Sequence, residues 1–181
     1  LFDADGVQQA RSMDYPVTPI TVTDRGYYEA HTERGARVHI SQPFQGRNTR
    51  TWTFAMTRRL DTPSGNFDGL VFAAIEPAYF QEFYRVAEAL SGTQVALALN
   101  DGTVLAGWPH RRADGGDYIG QELGAFELFE GLSARHRAPG DRVVDGTFYA
   151  FRMVEGFPLT VAVAIPESVV LGPWRKSVRD M

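Results

Sequence analysis

Eight residues of the run "TVTDRGYYEAHTERG" (21–35) bring together an acid, an arginine, two adjacent tyrosines and a histidine. Arg25 is always charged and presents a flat fork of N–H donors that matches a carboxylate. Tyr27 and Tyr28 offer flat walls with hydroxyl handles. His31 suits either a hydrogen bond to a carboxylate or a cap on a short helix, and Asp24 reads more simply as a cap than as a ligand. That chemistry is recognition of a small anion. On chemistry alone an ordinary reading stands beside it, with Arg25 at the surface and one tyrosine in the core.

Covalent catalysis finds little support. The sequence has no phosphate-binding glycine loop, no nucleophile elbow and no His-Glu-x-x-His helix. "DADG" opens like a calcium loop but lacks the later ligands, so it reads as a hairpin turn. The four histidines, 31, 39, 110 and 136, show no ligand spacing, and His31 and His39 would meet only by accident of folding. No metal and no cofactor is expected. There is no cysteine, which removes thiolate chemistry and disulfides and leaves the redox compartment open.

The elements that must hold these residues form a weak internal repeat. "LFDADGVQQARS" (1–12) and "LALNDGTVLAGW" (97–108) both read as strand, Asp-Gly turn, strand, with a type I′ turn expected. "TWTFAMTRRL" leads to "GLVFAAI", as "TFYAFRMV" leads to "PLTVAVAI". Gly6 to Trp52 and Gly102 to Phe148 span the same 46 residues (52 − 6 and 148 − 102). In the closing strand of the first repeat Trp52, Phe54 and Met56 lie on one face and Thr51, Thr53 and Thr57 on the other. "EPAYFQEFYRVAEAL" is the clearest helix, with Pro77 in its first turn, Phe80, Phe83, Tyr84, Ala87 and Leu90 at helical spacing, and Gly92 as its stop. "GAFELFEGLSA" (124–134) reads as a second helix. "TDRGYYEAHTER" reads as a turn entering a short helix capped by Thr23 or Asp24, and another helix starts after Pro166.

The 181 residues, 44% hydrophobic and 22% charged, suffice for one sizeable core or two small ones. Net charge is −4, and among 18 basic side chains only Lys176 is a lysine. No basic run resembles a phosphate-tracking surface, so nucleic acid is not an expected partner. No apolar run approaches the ~20 residues of a spanning helix. The abrupt start at Leu1 suggests a piece of something longer.

Taken in order, several stretches resemble the double Cache (PDC-like) sensor domains of bacterial membrane receptors. "DRGYYEAH" is similar to that family's Asp-Arg-x-Tyr-Phe-x-x-His stretch. "ISQPFQGRNTRTWTFAMTRRL" is similar to its strand-Pro turn, Trp-containing strand and Arg-Arg end. "GNFDGLVFAAIEPAYFQEFY" is similar to its glycine-rich strand, acidic residue and Tyr-Phe helix. "LNDGTVLAGWP" and "YAFRMVEGFPLTVAVAIPESVVLGPWR" resemble the membrane-proximal half. Together they cover nearly all of the chain.

The resemblance implies an α+β fold of two tandem PAS-like modules, each an antiparallel sheet flanked by helices. A membrane-distal ligand module would span 1–78 and a membrane-proximal module 79–166, with 79–90 as connector and 167–181 as a tail towards a membrane span. The family's long helix before the first strand, which pairs protomers into a homodimer, is absent from this sequence. The implied role is extracytoplasmic: a periplasmic sensor domain of a histidine kinase or diguanylate cyclase type of receptor, binding a small organic acid without catalysis. The amino-acid-sensing branch implies roles for Arg25 and the aromatic pair Tyr27 and Tyr28 on a ligand carboxylate, and for Glu76 on an amine. Phe44 stands where that branch prefers tyrosine, and Glu76 where it has aspartate. Trp52, Phe54, Thr57 and Phe72 complete the candidate lining with His31. The alternatives are an amino-acid or amine chemoreceptor domain, a structural or partner-binding module with a filled first unit, an enzyme on a PAS-like fold, and a cytosolic haem or flavin sensor.

Overall fold

The structure is a computed structural model that describes residues 1–12, 20–47, 49–85, 87, 90–132 and 137–172. The chain divides into two compact units, Leu1–Ile75 and Glu76–Met181. Each is built on one five-stranded sheet. The fold is α+β and PAS-like, because in each unit the opening strand pairs with the closing one and helices or turns cover one face.

In the first unit β1 (Phe2–Asp3) pairs antiparallel with β5 (Phe67–Ile75), β5 with β4 (Trp52–Asp61), and β4 with both β2 (Val38–Ile40) and β3 (Phe44–Gln45). The Asp-Gly hairpin after β1 forms. Only Gly6 takes positive φ, at 72°, and Asp3 N donates to Val7 O while Gly6 N donates to Asp3 O. That is a three-residue loop ending on a left-handed glycine rather than the expected two-residue type I′ turn. Asp3 closes it by accepting from the Asp5 and Val7 amides at 3.0 and 2.8 Å.

α1 (Gly26–Thr32) lies on one face of this sheet. Its N-cap residue is Arg25, and no side chain caps it. The expected cap at Thr23 or Asp24 does not form, because Asp24 is instead ion-paired with Arg47. The core joins Phe2, Val22, Tyr27, Ala55 and Leu70, with Phe44, Phe67 and Phe72 packed against them.

In the second unit the order is β7 (Val104–Trp108), β6 (Gln94–Leu99), β10 (Leu159–Pro166), β9 (Thr147–Val154), β8 (Gly140–Val144). The β6–β7 hairpin repeats the first one's main-chain bonds, with Gly102 at φ 96°, Leu99 N donating to Thr103 O and Gly102 N to Leu99 O, while its carboxylate contact comes from Asp101 within the turn, which accepts from Thr103 N. α2 (Pro77–Tyr84) packs on β7 with Pro at its first turn. It stops at Tyr84, short of the expected residue 90, and Phe83 and Leu90 of its apolar stripe lie at the surface. Residues 86, 88 and 89 lie outside the described residues.

The helix expected at 124–134 is instead two 3-10 turns, Leu123–Ala125 and Glu127–Phe129, separated by Phe126 in extended backbone. Phe126 and Phe129 share one face at a three-residue spacing in a helix as well, so that spacing is satisfied by the two turns without a continuous helix. Both rings are fully buried with Phe151 among Tyr118, Tyr149, Ala162 and Ala164. Residues 133 and 134 of that expected helix lie outside the described set. Residues 167–172 are helical, as read after Pro166.

Candidate functional site

The closing hairpin decides which candidate side chains can meet. Register places Thr57 beside Phe72 and Phe44 beside Thr53. Phe72 touches the Tyr27 ring, and Thr57 bonds His31 of α1. The threonine face of β4 is therefore the face under α1. Strand alternation carries Trp52 and Phe54 to the opposite face. Phe54 is buried there and Trp52 half-buried. Those two do not join the group around Arg25.

Arg25, Tyr27, Phe44 and Phe72 do come together. Arg25 is half-buried where the chain enters α1, and its guanidinium carbon lies 5.2 Å from the centre of the Phe44 ring. Among the described residues no hydrogen bond or ion pair reaches that guanidinium. Tyr27, one position into the helix, turns its ring between Phe44 and Phe72 at centroid distances of 5.9 and 5.2 Å. Burial pushes its phenol up to about 12, against the pull of the Arg25 and Arg47 guanidinium groups and with a smaller push from Asp24. The phenol therefore keeps its proton and offers an O–H beside those charges. At the same end of the sheet Ala74, opposite Ala55, is exposed, so the small-residue floor is not fully covered.

Tyr28 and His31 sit elsewhere on the first unit, and Glu76 is the first residue of the second. Tyr28 points the other way along α1: its hydroxyl donates to Ala4 O at 2.7 Å, and its ring meets Phe67 edge-on. His31 is fully buried, with Nδ1 2.6 Å from Ala36 O and Nε2 2.8 Å from Thr57 Oγ1. Both nitrogens and the Thr57 hydroxyl are thus used by the protein itself. Glu76 follows directly on the last residue of β5, is exposed, and makes no side-chain cap to α2.

Two features escaped the sequence reading. Arg47 donates to Thr21 O at 2.8 Å and to Asp24, closing the loop before α1. Its partners are more than twenty residues away, and only the fold of the β3 hairpin brings them near. His31 and His39 also become neighbours, with ring centroids 6.4 Å apart, because β2 and α1 both pack against β4. Among the described residues no three His, Asp or Glu side chains group as a metal site.

The two units differ at corresponding positions. Thr53 and Ala55 on the helix side of β4 answer to Tyr149 and Phe151 on β9. Tyr149 bonds Leu128 O at 2.6 Å, and both rings pack into the aromatic core. The second unit fills this face with ring carbon. The first places smaller residues there and leaves a cation at its edge.

No protein-family model matches the sequence, and no curated protein matches it. Solved structures do. The extracellular domain of a proposed histidine kinase, rpHK1S-Z16, is 32% identical, with TM-score 0.72 over 96% of this chain and 71% of its own. The ligand-binding domain of the Pseudomonas aeruginosa PAO1 amino acid chemoreceptor PctB, in complex with L-Gln, is 16% identical, with TM-score 0.59 over 93% of this chain and 67% of its own. That of the Pseudomonas fluorescens chemoreceptor CtaA, in complex with L-isoleucine, is 14% identical, with TM-score 0.61 over 94% and 69%. Among the described residues no helix is long and apolar enough to cross a membrane. With the ordered motifs, the two PAS-like sheets and the identity to rpHK1S-Z16, the chain belongs to the double Cache family, the extracytoplasmic small-molecule sensor domains of bacterial transmembrane receptors.

Proposed function

We propose that the first unit is the ligand module and that its ligand is a small carboxylate clamped by Arg25. The observation that carries this reading is a half-buried guanidinium with no polar partner among the described residues, set against Phe44 and beside a protonated Tyr27 phenol. A partly desolvated cation gains most from a bidentate oxyanion, because two charge-assisted hydrogen bonds form at reduced dielectric. Tyr27 adds a third donor, and Phe44 and Phe72 supply apolar walls. The filled aromatic core of the second unit supports its role as a relay. Module boundaries at 78 and 166, membrane anchoring, homodimerisation and a kinase or cyclase output belong to this proposal. The chain itself performs no covalent chemistry; binding shifts the balance of two arrangements and passes a displacement towards the membrane.

An amino acid is the second reading. It draws on the ligands held by PctB and CtaA and on the Glu76 carboxylate, which makes no capping bond and could meet an ammonium. A thermal-shift screen of short mono- and dicarboxylates, amino acids and amines tests both. A carboxylate hit supports the first reading, an amino-acid hit the second, and no hit from any class removes the small-ligand role of this unit.

A further inference from the structure

Among the described residues of the first unit, two polar side chains are fully buried, Thr57 and the His31 imidazole that ties the last turn of α1 to the sheet. We propose that His31 and Thr57 form a proton-operated latch that holds α1 on β4 when His31 is neutral and loosens it on acidification. The device is independent of which ligand the unit binds.

The hydrogen-bond pattern fixes the neutral state. Ala36 O has only lone pairs, so the proton of neutral His31 sits on Nδ1 and points at that carbonyl. Nε2 is then an acceptor, and the Thr57 hydroxyl donates to it. Thr57 is itself fully buried and has a second acceptor within reach, His39 O at 3.3 Å. When Nε2 takes up a proton, the hydroxyl must turn, accept from Nε2–H and donate to His39 O. The geometry offers a hydrogen-bond pattern for both states.

The electrostatics favour only one. β4 contributes Arg59, whose guanidinium donates to His31 O, and the exposed Arg58. β2 contributes His39, with the exposed Arg37 before it, and β5 contributes Phe72. Arg34 follows α1 and bonds Gly26 O, while Glu29 and Glu33 are exposed. Asp61, beside Arg59, is ion-paired with it at 2.6 Å. Among the described residues an imidazolium here has no free carboxylate to meet, and it has guanidinium groups around it. Burial holds His31 below its ordinary value, opposed by the hydrogen bond to Ala36 O and helped to a smaller extent by Arg59, and burial, His31 and Arg34 lower His39.

The consequence for stability follows from proton uptake. The unfolded chain binds these protons near the ordinary histidine value of about 6.5, the folded chain only at lower pH. Above about 6.5 both states are neutral and the latch is closed. As pH falls below that, the unfolded or undocked form gains protons first and α1 loosens. An extracytoplasmic domain meets the pH of its surroundings, so the latch makes the seat of Arg25, at the other end of α1, sensitive to acid.

The test uses the ligand-free domain. Hydrogen exchange of the α1 amides, corrected for intrinsic rate, and Tm are compared at about pH 7.5 and about pH 5.5. In the parent, α1 protection falls selectively and Tm drops by at least about 2 °C. His31→Asn flattens the response, Thr57→Ser matches the parent, and Thr57→Val, which takes away the acceptor an imidazolium would need, lowers Tm at about pH 7.5 and leaves the acid response at least as large. His39→Gln separates the contribution of the second imidazole. Imidazole NMR gives a second readout that does not depend on how stable the variants are: His31 titrates below its ordinary value in the parent and moves towards it in Arg59→Gln. Equal protection of α1 at both pH values, an ordinary His31 titration, or an undiminished response in His31→Asn overturns the latch. Since no ligand is present, these results are separate from those of the ligand screen.

Discussion

Arg25 rests its guanidinium 5.2 Å from the centre of the Phe44 ring and, among the described residues, meets no acid and no carbonyl. Arg47, in the neighbouring loop, carries the ion pair with Asp24. The two arginines differ: one closes the loop, and the other has no polar partner among the described residues.

Tyr27→Phe removes one hydroxyl and keeps the ring between Phe44 and Phe72. Binding of a carboxylate should weaken by about 3–10-fold, the worth of one hydrogen bond, while resting Tm stays within about 2 °C. The Tyr27 phenol favours its proton in the fold, so its contribution to stability is complete below the ordinary value near 10 and lost as pH rises towards about 12. A difference absorbance titration of the parent against Tyr27→Phe checks this; a midpoint near 10 for the missing tyrosine would show an exposed phenol.

Trp52→Phe alters the face of β4 turned away from α1. It should leave the ligand-induced rise in Tm unchanged, whereas Phe44→Ala, on the near face, should reduce it. Calorimetric titration of both variants decides; equal losses would put Trp52 back in the lining.

Glu76→Gln separates the two ligand readings. Carboxylates without an amine should bind it as they bind the parent. Amino acids, if the parent binds them, should lose about tenfold or more, the worth of a charged partner. Competition titrations with matched acid and amino-acid pairs provide the measurement.

Gly69→Ala tests how the first unit is closed. Gly69 has φ 127°, and an added Cβ would stand 2.2 Å from Phe2 O. The substitution should break the β1–β5 pairing and cost about 3 kcal/mol or more, with hydrogen-exchange protection lost first in β1. Phe129→Ala should cost about 3–5 kcal/mol through the cavity it leaves in the second unit, with no such local pattern in the first.

The repeat, the hairpins and the closing strands were legible because they rest on local signals: Gly6 and Gly102 at left-handed turns, and alternating residues in β4 and β9. Period-two alternation also announced that Trp52 and Thr57 face opposite ways, and that alone separates Trp52 and Phe54 from the Arg25 group. What the sequence left open was which face meets α1. That depends on His31 reaching Thr57 across twenty-six positions. The Asp24–Arg47 pair and the His31–His39 contact were hidden for the same reason. The broken helix at 124–134 shows the limit of spacing: two buried phenylalanines three residues apart suit one face of a helix and equally the two short turns observed.

The central claim is that Arg25 holds the ligand's carboxylate. With a carboxylate from the screen at about 100 times its Kd, the parent should gain about 2.7 kcal/mol and a Tm higher by about 5–10 °C. Arg25→Ala should fold with a resting Tm close to that of the parent and lose that gain, and Arg25→Lys should recover only part of it, since a lysine keeps the charge without the fork. A full ligand-induced shift in Arg25→Ala would contradict the account and move the binding site away from the start of α1.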